Sequence, residues 1–121
     1  MTNVEFLNEN FGTGFKGYQK CKWRYDDNII VWMVKLDKSI LAGWQNSIID
    51  ENTVHEIYVG TLEDQIEGHK VVETPFRLIV DKAQGYKILG IYKYDILSSK
   101  ERTCRIWKKV SDSITEFYSQ Q

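Results

Sequence analysis

Four tryptophans are the residues whose types and surroundings could do chemistry. Trp23 has basic neighbours Lys20, Lys22 and Arg24, and Trp107 has Arg102, Arg105, Lys108 and Lys109. Trp44 follows Gly43 and precedes Asn46 by two residues. Aromatic faces beside an amide can hold a flat, unstacked base: the rings stack on it and the amide reads its edge. The same residues could equally fill a core or a sheet face. Trp32 lies in the most apolar stretch of the chain, Ile29 to Leu36, and reads as core.

A second feature is Gly12-Thr13-Gly14-Phe15-Lys16-Gly17, which matches G-x-G-x-x-G. The dinucleotide fingerprint needs a strand before it and a helix after it. Here the order is reversed. The reading is a glycine-rich loop entering a β-structure, with the backbone N–H groups of Gly14 and Gly17 available to a ligand.

Other chemistries lack support. His55 and His69 have no metal-ligand spacing around them, so no metal and no cofactor are expected. No serine sits in G-x-S-x-G, and nothing selects a Cys–His pair. Asp26-Asp27 and Asp50-Glu51 read as solvated turns. Cys21 and Cys104 read as buried free thiols. The expectation is a binding module, not an enzyme.

The elements that must position these residues follow from periodicity. Thr2 and Glu5 have capping-box spacing, which predicts a short N-terminal helix. Tyr18 to Tyr25 alternates as a strand and forms a hairpin with Ile29 to Leu36 across Asp26-Asp27-Asn28. Further strands are expected at Trp44–Ile49, Thr53–Val59, Phe76–Val80 after Pro75, Tyr86–Tyr94 and Arg102–Lys109. Gly90 leaves a gap on the tyrosine face of the sixth strand and suggests a bend or a close approach. Gly60 to Thr74 reads as the longest loop, and Ser111 or Asp112 caps a final helix through Tyr118. The sum is one domain over residues 1–121, mainly β (α+β), with about seven strands and short flanking helices. Short strands on tight turns favour an antiparallel barrel or sandwich.

Length and composition agree with this. The chain has 121 residues, 42% hydrophobic and 27% charged, enough for one packed core. A net charge of −1 argues mildly against a non-specific nucleic-acid clamp but leaves room for a local basic patch. The N-terminal residues show no basic stretch followed by an apolar one, and the longest apolar run is far too short to cross a bilayer. The expected location is the cytoplasm, with no membrane association.

Several stretches together resemble a known family. They are Gly17-Tyr18-Gln19-Lys20-Cys21, Ile30-Val31-Trp32-Met33-Val34-Lys35-Leu36 and Gly43-Trp44-Gln45-Asn46. Tyr86 to Tyr94 and Arg105-Ile106-Trp107-Lys108-Lys109-Val110-Ser111-Asp112 continue the pattern. The chain resembles PUA-like β-barrel modules that accompany HNH-type and other modification-dependent restriction nucleases in bacteria. The resemblance implies a partly closed, antiparallel barrel that reads a modified or flipped base in an aromatic cage. Carried onto this sequence, the cage would be Trp23, Trp44 and Asn46, with Trp107 a further candidate. Arg105 and Lys108 would contact phosphates, and Lys22 and Arg24 beside Trp23 could do the same. No nuclease motif is present. Two rival expectations stand beside this one: a phage or mobile-element protein that inhibits a host defence enzyme by protein binding, and a small nucleotide-binding enzyme.

Overall fold

In a computed structural model, the described residues are 1–59, 74–96, 98–99 and 104–121. The expected loop from Gly60 as far as 73, with His69, lies outside them, as does Arg102.

Helix α1 spans Asn3–Phe11. Thr2 caps it by accepting a hydrogen bond from the Glu5 N–H, and Gly12 ends it in the left-handed conformation, φ 65°. Strands β1 (Lys22–Arg24), β2 (Ile29–Val34), β3 (Asp37–Leu41), β4 (Trp44–Asp50) and β5 (Thr53–Tyr58) follow. After the gap come β6 (Phe76–Asp81), a 3₁₀ turn at Lys82–Gln84, β7 (Lys87–Tyr94), β8 (Cys104–Ser111) and helix α2 (Ile114–Ser119).

The described strands form one eight-stranded sheet in the order β1-β2-β6-β7-β8-β5-β4-β3. The mainly β reading holds, with three corrections. Among the described residues there are eight strands, because Asp37–Leu41 pairs with β4 as an edge strand. The sheet is mixed, because β2 and β6 run parallel, with Trp32 beside Ile79. Hydrogen bonding does not close it: β1 and β3 are left as edges.

Alternation sorts the side chains onto two faces. From β2 and β6, Ile29, Val31, Met33, Leu78 and Val80 pack against Phe6 and Leu7 of α1 and Phe117 of α2. The intervening Trp32 and Ile79 point the other way and cluster with Val54, Tyr92 and Trp107. Burial on both faces explains why β2 is apolar throughout.

Two residues shape the sheet locally. Tyr86 adopts φ 62°, so β7 begins one residue later than expected. Gly90 adopts φ 137°, and a Cβ there would come within 2.6 Å of the Ser111 carbonyl oxygen. The gap on this strand is therefore filled by backbone. Both cysteines are free, but only Cys104 is buried; Cys21 is exposed because it precedes β1 instead of lying in a strand.

Candidate functional site

The two edges of the sheet face each other across a cavity of about 870 Å³. Lys22 and Trp32 approach from β1 and β2, Ile40 and Leu41 from β3, and Trp44 and Asn46 from β4. Glu56 and Arg105 complete the lining from β5 and β8. Register explains the convergence. Asn46 pairs with Glu56 and Glu56 pairs with Arg105, so the three form one row across adjacent strands. Trp44 is two residues before Asn46 and shares its face.

Glu56 is the centre of the charge network. Its Oε1 accepts hydrogen bonds from Arg77 Nη1 at 3.2 Å, Arg105 Nη1 at 3.4 Å and the Trp107 indole N–H at 3.2 Å. Burial pushes the Glu56 carboxyl up. Arg77 and Arg105, with Lys22 and the Trp107 hydrogen bond, outweigh it and hold the group below the usual carboxylate range. Arg77 is fully enclosed, 4.7 Å from the Trp32 ring centroid and 4.2 Å from that of Trp107. Burial lowers its proton affinity and Glu56 opposes this. A guanidinium keeps its charge under such a shift, and the two indole faces suit it.

Trp44 is only half-buried. The Arg105 guanidinium lies 5.1 Å from its ring centroid, and Tyr58 packs edge-on at 5.0 Å. Gly43 permits this: with φ 85°, a Cβ there would lie 2.6 Å from the Tyr58 ring. The Asn46 Oδ1 is buried and accepts no hydrogen bond among the described residues. A buried acceptor without a donor is costly and is uncommon in native proteins. The site therefore presents an aromatic face, a charged carboxylate and a vacant acceptor, the set needed to hold a flat group with exocyclic N–H donors.

The expected site residues divide. Trp44, Asn46, Lys22 and Arg105 meet at the cavity. Trp23 does not, because it pairs with Val31 and so faces the helices, packing on Phe11 at 5.3 Å. Trp107 lies wholly inside the second core and supports Glu56 from beneath. Arg105 was expected at phosphates; it is 3% exposed and ion-paired with Glu56, which makes it part of the cavity floor. Lys108 is exposed and donates to Thr53 Oγ1. Arg24 is exposed and reaches the Asp26 carbonyl. Gly14 and Gly17 are outside the cavity lining, in a loop that Asn8 ties to α1 by bonding the Phe15 N–H and carbonyl.

Sequence reasoning missed Glu56 and Arg77. A signal existed: Glu56 is in phase with Val54, and Arg77 is in phase with Ile79, so each charge falls on an apolar face. Among the described residues, no group of three or more His, Cys, Asp or Glu could hold a metal ion. No helix among them is long and apolar enough to cross a membrane.

No curated protein matches the sequence. Among solved structures, the 5-hydroxymethylcytosine-specific restriction enzyme AbaSI matches with a TM-score of 0.66 and 18% identity, over 92% of this chain. The chain spans 37% of that enzyme's length, and at this identity the likeness establishes the fold. The resemblance to PUA-like modules tied to modification-dependent restriction is met here. The SET and RING associated (SRA) domain model matches residues 1–115, nearly the whole sequence, and the chain belongs to that family.

Proposed function

We propose that this domain binds DNA and receives a modified cytosine, everted from the duplex, in the cavity between the sheet edges. The observation that carries the reading is the vacant, buried Asn46 Oδ1 beside the ionised Glu56 in a cavity that the half-buried Trp44 also lines. The cytosine edge carries the N4 amino donor, whereas thymine offers O4, an acceptor. Two acceptors on the cavity floor favour the first and repel the second. Trp44 supplies the stacking surface that replaces the neighbouring bases. AbaSI, which shares the fold, is specific for 5-hydroxymethylcytosine, and this supports a modified base as the ligand. We read the curled sheet as a PUA-like barrel left open along the seam where the base enters.

The domain acts as a reader in restriction biology, and any cleavage is supplied by a separate domain. The test is equilibrium binding to three duplexes that differ at one position, carrying cytosine, 5-methylcytosine or 5-hydroxymethylcytosine. Tighter binding to a modified duplex is expected. Equal affinity for all three removes the reading. Nicking of modified plasmid by the purified domain would refute the purely binding role.

A further inference from the structure

A second, shallower groove of about 530 Å³ adjoins the cavity. Tyr18, Gln19 and Tyr86 line it, and Lys35 and Lys82 line both depressions, so these two lysines stand on the ridge between them. Lys35 is exposed. Lys82 opens the 3₁₀ turn, and its ammonium lies 5.8 Å from the Tyr86 ring centroid.

The charge distribution here departs from that of the chain. The whole sequence has 16 Lys and Arg against 17 Asp and Glu. Among the described residues, the two linings together contain Lys22, Lys35, Lys82 and Arg105 against one carboxylate, Glu56, itself already bonded to Arg77 and Arg105; Glu5 borders the groove, where it accepts from the Thr2 hydroxyl. The acids closest in sequence to the ridge are turned to other work. Asp81 is buried and accepts from the Leu36 and Ala83 N–H groups and from Gln84. Asp37 accepts from the Ser39 N–H and hydroxyl. Of the polar side chains in the groove, the Tyr18 and Tyr86 hydroxyls donate to the Lys22 carbonyl and to Asn3 Oδ1, which leaves the Gln19 amide beside the lysines as the kind of group that commonly contacts phosphate and sugar.

We infer that the DNA strand bearing the everted nucleotide continues from the cavity mouth along this groove, with Lys35 and Lys82 on the phosphates that flank the base. The assignment rests on the proposed reading of the cavity. A polyanion is favoured over a small anion because the cationic ridge joins two depressions instead of enclosing one point. The lysines contribute affinity without sequence or modification preference, whereas Asn46 contributes preference.

The experiment measures binding of the whole chain to a modified and an unmodified duplex between 50 and 200 mM salt. Wild type is compared with Lys35→Gln/Lys82→Gln and with Asn46→Ala. Each lost phosphate contact lowers the slope of log K against log salt by about 0.9. The double lysine variant is expected to lose between one and two units of slope and to weaken both duplexes alike, keeping their affinity ratio within about twofold. Asn46→Ala is expected to collapse the ratio with the slope unchanged. An unchanged slope in the lysine variant overturns the track, as does loss of the ratio with the slope intact. If wild type shows no preference for the modified duplex, the base reading fails, but the slope on unmodified DNA still decides the track.

Discussion

The guanidinium of Arg105 lies 5.1 Å from the ring centroid of Trp44, while its Nη1 is held at 3.4 Å from Glu56 Oε1. One buried carboxylate thus fixes a cation, and the cation backs an aromatic ring at the cavity wall. A ring held this way loses little freedom when a base stacks on it, which is the advantage of preorganisation.

Trp44→Ala is expected to weaken binding to a modified duplex by about 1–3 kcal/mol, the range for one base–aromatic stack. Trp44→Phe should recover much of that loss. Fluorescence anisotropy titrations on matched modified and unmodified duplexes check it, with the unmodified affinity expected to change little.

Asn46→Ala separates stability from binding. It removes a buried acceptor with no donor among the described residues, a group that costs about 1–3 kcal/mol when unsatisfied. Thermal unfolding should therefore show a melting temperature at or above wild type. Affinity for the modified duplex should fall by roughly fivefold, the worth of one net hydrogen bond of about 1 kcal/mol.

Arg77→Met tests the buried network. Removing one partner of a buried ion pair typically costs about 3–5 kcal/mol, because the remaining charge is left poorly compensated. Urea denaturation should show a loss of that size. Adding Glu56→Gln to the same chain should restore part of it, and a double variant no more stable than the single would count against the pairing.

The pH dependence follows from Glu56. Its folded value lies below the ordinary 4.5, so the unfolded chain binds more protons across the interval between the two. The stabilisation is complete above about pH 4.5 and is lost as pH falls through the folded value. Asp26, Asp37 and Asp50 are shifted in the same direction, but Asp37 and Asp50 are exposed and Asp26 is partly so, where such effects are small. Denaturant titrations from pH 7 to pH 3 should show falling stability below about pH 4.5. Glu56→Gln should be less stable at pH 7 and lose less on acidification.

Part of this site could be read from the sequence. Trp44 and Asn46 are two apart in one strand, so they share a face whatever that face meets. Trp23 could not be placed in the same way. Its side was decided by its register with Val31, and β2 is apolar on both faces, so no alternation there marks which side meets the helices. That unbroken apolar run was itself a sign of parallel pairing, since such strands are covered on both sides. Strand β3 carried no pattern to find: all five of its residues are exposed, and Lys38 adopts φ 67°. Glu56 and Arg77 are 21 residues apart and meet only because β5 and β6 bring their side chains to the same concave face.

The open seam has a mechanical consequence. Lys22 and Leu41 belong to opposite ends of the strand order, so the aperture between them is the accumulated coiling of every pairing in between. The close approach of Gly90 to Ser111 in mid-sheet belongs to that sum, although neither residue lines the cavity. A ligand that touches both rims acts as a clasp, and its grip is transmitted through the whole sheet. On the proposed reading of the cavity, affinity for the base would therefore report how tightly the domain is wound, and substitutions far from the cavity would tune it without touching what is bound.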